Sequence, residues 1–211
     1  MKIFDVTVPI KNFMPVWPGD PQVENRLVSS IEKGEEANVT NIQMSAHTGT
    51  HIDAPKHYIK SGTAIEGLSL TTLLGEVEVV EIDFQNSQID ALTLIKVNRN
   101  EWSQRVLFKT NNSNLRLLEK DYFNQNFTAL LPDAAEYLVQ KGVKLVGIDY
   151  LSIAPFENGS DTHIILLEND VVVLEGLNLA DISPGIYELI ALPILLEGAE
   201  GSPARVLLIQ S

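Results

Sequence analysis

Two short apolar runs constrain the fold of this 211-residue chain most. Val143 to Asp149 reads VKLVGID and Asp170 to Glu175 reads DVVVLE. Both are short, rich in β-branched residues and flanked by polar positions, so each is expected to form a buried-type strand ending on a carboxylate. Acids at strand ends sometimes line sites and more often face solvent. Further strands are expected at Ile3 to Val8, Val39 to Ser45, Gly75 to Phe84 and Arg105 to Thr110. The apolar runs Tyr187 to Leu196 and Arg205 to Ile209, divided by Glu197 to Pro203, suggest a terminal hairpin. One helix stands out, Pro132 to Lys141, with Pro at its first position, Asp133 and Glu136 near its positive end and Gly142 as its stop. Between Asn86 and Gln104 a polar stretch has room for a short helix, and Asn111 to Asn114 reads as a loop. No repeat or low-complexity linker divides the chain, so a single α/β domain over residues 1–211, built of mixed sheets with few helices, is expected.

Composition narrows the function. A 45% hydrophobic content supports a full core, and a net charge of -13 with pI near 4.6 opposes phosphate backbones and anionic lipid. Neither nucleic acid nor membrane is an expected partner; small molecules and like subunits remain. The N-terminal residues lack a long apolar h-region and no stretch approaches the ~20 apolar residues of a membrane span, so a cytoplasmic protein is expected. With no cysteine in the sequence, a metal would have to be held by histidine and carboxylate.

Three of the four histidines fall in the eleven residues HTGTHIDAPKH, His47 to His57, together with Asp53. His47 and His51 have the spacing of zincin ligands, but Thr48 stands where the general-base glutamate would be. A helix would also place Asp53 about 200° round from His51, and Gly49, Thr50, Ile52 and Pro55 are weak helix formers. On an extended chain His51 and Asp53 share a face, and Gly49, between the two histidines, leaves space there. Four extended residues span roughly 13 Å, too far for two imidazoles on one ion, so a kink is expected at Thr48-Gly49. Ala54-Pro55 sets His57 apart as an acid/base candidate. Imidazole plus carboxylate suits zinc, manganese or iron.

The segment HTGTHIDAPKH resembles the HxGTHxDxPxH signature of the metal-dependent cyclase-like hydrolases, which include the bacterial kynurenine formamidases. DVTVPIKNFMPVWPGDP is similar to that family's opening strand and substrate loop, VKLVGIDYLSIAP to its central strand, and YELIALPILLEGAEGSPARVLL to its closing hairpin. The resemblance implies a swivelling β/β/α fold assembled as a homo-oligomer, dimer or tetramer. It also implies two divalent ions per subunit, zinc or manganese. His47, His51 and Asp53 match the ligands of the first ion, with Asp53 able to bridge. His163 and Glu175 match the second ion's ligands, His57 the proton donor and acceptor, and Trp17 an aromatic that packs on the substrate. Trp17 could equally anchor the Pro-Gly turn from the core. Asp149 and Ser152 are expected beside the pocket in supporting roles, and Arg105 and Lys109 on a solvated face.

The activity implied is hydrolysis of N-formyl-L-kynurenine to L-kynurenine and formate, by water activated on a metal with a pKa lowered toward about 7. Opening of a cyclic amide such as isatin is the alternative, and a non-catalytic metal- or small-molecule-binding protein a second. Thr162 departs from the formamidase pattern, which places another histidine before the ligand matched by His163.

Overall fold

Strand β7, Arg105–Lys109, shows how the apolar runs are used. Its three central residues are fully buried, and their side chains alternate between two different clusters. Leu107 joins one cluster, whereas Val106 and Phe108 join another that includes helical residues. A run that is apolar at every position therefore needs cover on both faces, and the rest of the chain supplies it.

The computed structural model describes residues 1–85, 87–97 and 101–210. Its strands are β1 Lys2–Asp5, β2 Glu24–Ser29, β3 Val39–Gln43, β4 His51–Asp53, β5 Leu74–Glu81, β6 Gln88–Ile89, β7, β8 Ala129–Leu130, β9 Leu145–Ile148, β10 Val172–Glu175, β11 Gly185–Pro193 and β12 Gly201–Gln210. The α-helices are α1 Leu70–Leu73, α2 Ala91–Lys96, α3 Asn111–Asn114, α4 Pro132–Gln140 and α5 Ser160–Glu168. Eight strands form one mixed sheet in the order β1-β12-β11-β5-β7-β9-β10-β4, and β4 also pairs with β12, which closes it into a barrel. The pairs β5–β7, β7–β9 and β9–β10 are parallel, and every other pairing in the barrel is antiparallel.

Ile52, Val79, Leu107, Leu145, Leu174 and Val206 come from around the whole ring and fill the barrel. Outside, Val80, Val106, Phe108, Val146 and Ile148 pack against Leu94 of α2, Ala134 and Leu138 of α4 and Leu166 of α5. The expected architecture, mixed sheets with few helices, is the one observed, and no helix among the described residues is long and apolar enough to cross a membrane.

Several local expectations are corrected. Asn111–Asn114 is a helical turn rather than a loop, because the Thr110 hydroxyl and the Asp149 carboxylate accept its first free N–H groups. The strand expected from Val39 is present as Val39–Gln43, which pairs with β2 in its own antiparallel ribbon, all five residues exposed, outside the barrel. Arg105 is not on a solvated face: its guanidinium donates to the carbonyls of Thr72 at 2.7 Å and Glu76 at 3.0 Å and to that of Thr71. Lys109 likewise donates to Ile182 O at 2.8 Å. The expected short helix after Asn86 is α2, capped by the Asp90 carboxylate; Asn86 and residues 98–100 lie outside the described residues.

A candidate metal centre at the open end of the barrel

β4 and β10 lie side by side in antiparallel register, with Glu175 opposite His51 and Val173 opposite Asp53. The alternation of β4 turns Ile52 into the core and sends His51 and Asp53 to the other face, both buried. The chain reaches His51 through the expected kink: Gly49 has φ +65°. Thr50 ties this loop down, its hydroxyl donating to Gly176 O at 2.6 Å and accepting from Val8 N at 2.8 Å. α5 then delivers His163 from the other half of the chain.

The side chains meet closely. His51 Nε2 is 3.2 Å from Glu175 Oε2 and 3.5 Å from Asp53 Oδ1. His163 Nε2 is 3.1 Å from Glu175 Oε1 and 3.7 Å from Asp53 Oδ2. His47 Nδ1 is 2.8 Å from Asp53 Oδ1. The His57 ring, in the 3-10 turn Pro55–His57, stacks on His47 at 4.1 Å. All six residues singled out in the sequence around a metal are thus brought together, with His47, Asp53 and His57 in one tight group and His51, Asp53 and Glu175 in another.

Hydrogen bonding says what this arrangement is for. His51 gives Nδ1–H to Gly49 O at 3.0 Å and His163 gives Nδ1–H to Gly159 O at 3.1 Å. In the neutral rings, each Nε2 then carries a lone pair, and each lone pair faces carboxylate oxygen. Two acceptors then face each other, an arrangement that a proton on the ring relieves in the metal-free protein and a metal cation between them relieves when one is bound. Consistently, His51 Nε2 and Asp53 Oδ2 are buried without a hydrogen-bond partner, where nearly all such groups in folded proteins have one. The donor set, three imidazoles and two carboxylates without sulfur, fits a divalent ion of the zinc or manganese kind.

Protons respond to the same field. Burial pulls the His47 pKa down, but the hydrogen bond and charge of Asp53, with Glu175 and Glu200, raise it to about 9. Burial likewise works against His163, yet the Glu175 carboxylate leaves its pKa raised. For Asp53 burial raises the pKa, but the neighbouring histidines hold it well below the usual carboxylate range. Burial and Asp53 push Glu175 up, and His163 and His51 bring it net down. His57 is lowered, chiefly by burial.

Above these groups opens a cavity of about 350 Å³ with His47, His57, His163 and Glu175 at its base. Trp17, Tyr58, Leu151 and Phe156 form apolar walls, and among the described residues no lysine or arginine lines it. Trp17 both borders the cavity and packs on Phe123 at 5.3 Å and Phe156 at 5.4 Å, so the two roles expected of it are not exclusive. Ser152 borders the cavity, while Asp149 is turned away and accepts from Thr110, Asn112 and Ser113. Thr162 also points elsewhere, its hydroxyl donating to Leu130 O at 3.0 Å. Two residues of the site have no signal in the sequence. Tyr58 stacks on His163 at 4.7 Å, and Glu200, in what reads as an ordinary acidic turn, lies 3.5 Å from His47.

Known proteins share this fold. The Cyclase family model matches residues 4–155. The chain is 38% identical over 217 residues to cyclase-like protein 3 of Oryza sativa subsp. japonica, covering 99% of this chain and 80% of that protein. A solved structure of a potential metal-dependent hydrolase with cyclase activity superposes with TM-score 0.84 at 36% identity, over 98% of this chain and 96% of that one. An isatin hydrolase bound to the product analogue thioisatinate has TM-score 0.85 at 22% identity, over 100% and 93% of the two chains, a likeness of fold. Matched across its signature segment, its barrel and nearly its full length, the chain belongs to the Cyclase family.

Proposed function

We propose that the protein is a metal-dependent hydrolase of small aryl amides, with N-formyl-L-kynurenine, cleaved to L-kynurenine and formate, as the first candidate substrate. The observation that carries this reading is the buried Nε2 lone pairs of His51 and His163 aimed at Asp53 and Glu175 beneath an aromatic-walled cavity. His47, His51, Asp53, His163 and Glu175 would hold the metal. Asp53 belongs to both tight donor groups, which supports a count of two ions, zinc or manganese, with Asp53 able to serve either. When bound, the metal supplies Lewis acidity and a nucleophilic water of lowered pKa.

The protein's own groups do the rest. Trp17, Tyr58 and Phe156 offer flat apolar surfaces for an aryl ring. His57, whose pKa burial lowers, is neutral at neutral pH and free to take a proton and return it to the leaving amine. The walls exclude water from the ring while leaving the base of the cavity polar. Support for a homo-oligomer comes from the β2–β3 ribbon, where Leu27, Val28, Val39 and Ile42 are exposed.

Opening of a cyclic amide is the second reading, favoured by the fold shared with the isatin hydrolase. Thr162 donates to Leu130 O and is not among the residues lining the cavity, which supports keeping the first reading beside the second. The test is steady-state hydrolysis of N-formyl-L-kynurenine and of isatin by zinc- or manganese-loaded protein. Preference for the formyl substrate supports the first reading; preference for isatin replaces it with the second; turnover of neither by metal-loaded protein sinks both.

A further inference from the structure

His47 is held differently from the other two histidines facing the carboxylates. His51 and His163 each have a backbone carbonyl on Nδ1, at 3.0 and 3.1 Å, which leaves Nε2 for the centre. His47 presents the opposite nitrogen: Nδ1 faces Asp53 at 2.8 Å, and the buried Nε2 has no hydrogen-bond partner. The carboxylate oxygen Oε1 of Glu200 stands 3.5 Å from that Nε2.

The ring itself is tightly seated. It stacks on His57 at 4.1 Å and meets His51 edge-on at 5.1 Å. Beneath it lies Gly201, where a Cβ would come within 2.5 Å of the His47 Cε1 and 2.9 Å of its Nε2. Glu200 immediately precedes that glycine, and its carbonyl accepts from Ala54 N at 2.9 Å, while Gly201 pairs with Asp53. The start of β12 is therefore fixed against β4 by its backbone, which leaves the Glu200 side chain available at the rim, 45% exposed.

We infer that Glu200 is a positioning residue for the metal centre: its carboxylate, 3.5 Å from His47 Nε2 and on an exposed side chain free to close that gap, accepts Nε2–H once the metal is bound and so fixes the tautomer whose Nδ1 lone pair faces Asp53. Glu200 then serves His47 as the backbone carbonyls serve His51 and His163, the outer partner that orients a ligand and selects its donor atom. This rests on the metal-centre reading above.

The test uses the full chain and zinc. Zinc affinity is measured by competition with a chromophoric chelator for wild type, Glu200→Ala and Glu200→Gln, and the protonated nitrogen of His47 is read by 15N NMR of zinc-loaded protein. The inference expects Nε2–H in the wild type, a loss of about 10–100-fold in affinity and of that single tautomer in Glu200→Ala, and a smaller loss in Glu200→Gln, whose amide oxygen still accepts. The metal-free melting temperature should stay within about 2 °C, since the main-chain contacts remain. Glu200→Ala binding zinc within twofold of wild type, with the His47 tautomer unchanged, overturns it and leaves the metal centre standing. Failure of the wild type itself to bind zinc overturns both.

Discussion

Gly49 and Gly176 join the two halves of the site, one lying between His47 and His51 and the other following Glu175. Both have left-handed backbone, φ +65° and +68°, yet their surroundings differ. A Cβ on Gly176 would lie 2.1 Å from Gly49 O and 2.7 Å from Gly49 C, backbone atoms that cannot rotate away. One on Gly49 would meet the flexible end of Met14 at 3.4 Å, an ordinary contact. Gly49→Ala therefore costs mainly the left-handed conformation, about 1–2 kcal/mol. Gly176→Ala adds overpacking of about 1–3 kcal/mol, for a total of about 2–5 kcal/mol. In a domain of this size each kcal/mol moves Tm by about 2–4 °C, so Gly49→Ala should lower the melting temperature by about 5 °C and Gly176→Ala by about 10 °C. Asparagine tolerates the left-handed region, so Gly49→Asn should melt near the wild type while Gly176→Asn should not recover. Calorimetry on chelator-treated protein separates these effects from metal binding. If Gly176→Ala melts at or above Gly49→Ala, the close approach of the two loops does not hold them together.

Further outcomes follow from the same geometry. His57→Ala should keep its bound metal and lose about 10²–10⁴-fold in kcat/KM, checked by metal analysis beside steady-state kinetics. In metal-free protein the raised pKa of His47, about 9, makes its contribution to stability complete below about 6.5 and lost as pH rises through 9, so Tm should fall over that window. For the same reason zinc binding at pH 7 should release protons, with His47 giving about one and His163, whose pKa is also raised, adding to it, and progressively fewer as pH rises past 9, measured by calorimetry in buffers of different ionisation enthalpy. Asp149→Ala strands the donors of Thr110, Asn112 and Ser113 and should cost about 3–5 kcal/mol in thermal melts while leaving zinc stoichiometry unchanged.

The strands were legible where burial on both faces leaves an uninterrupted apolar run, as in Leu145–Ile148 and Val172–Glu175, and the helix Pro132–Gln140 was legible from its Pro start and Gly142 stop. α5 was not. Its segment SDTHIILLE clusters Ile, Ile, Leu and Leu without a polar face, so it carries no 3.6-residue rhythm. The local half of the site was legible because His47 to His57 crowds its ligands into one segment with Gly49 at the bend. The distant half, His163 and Glu175, was reached through family resemblance, since a helical histidine and a strand-end acid have no local mark. Tyr58 and Glu200 were out of reach. They join the site only because Tyr58 stacks on α5 and because β12 closes the barrel against β4.

The central claim is that these residues form a metal centre on which hydrolysis depends. The most direct test strips the protein with chelator, restores zinc or manganese in steps, and records bound metal per chain beside turnover of N-formyl-L-kynurenine and isatin, with Asp53→Asn treated in parallel. The account predicts activity rising in proportion to bound metal in the wild type, and neither tight binding nor turnover in Asp53→Asn. Undiminished turnover by stripped protein, or an Asp53→Asn variant that binds and hydrolyses as the wild type does, would contradict it.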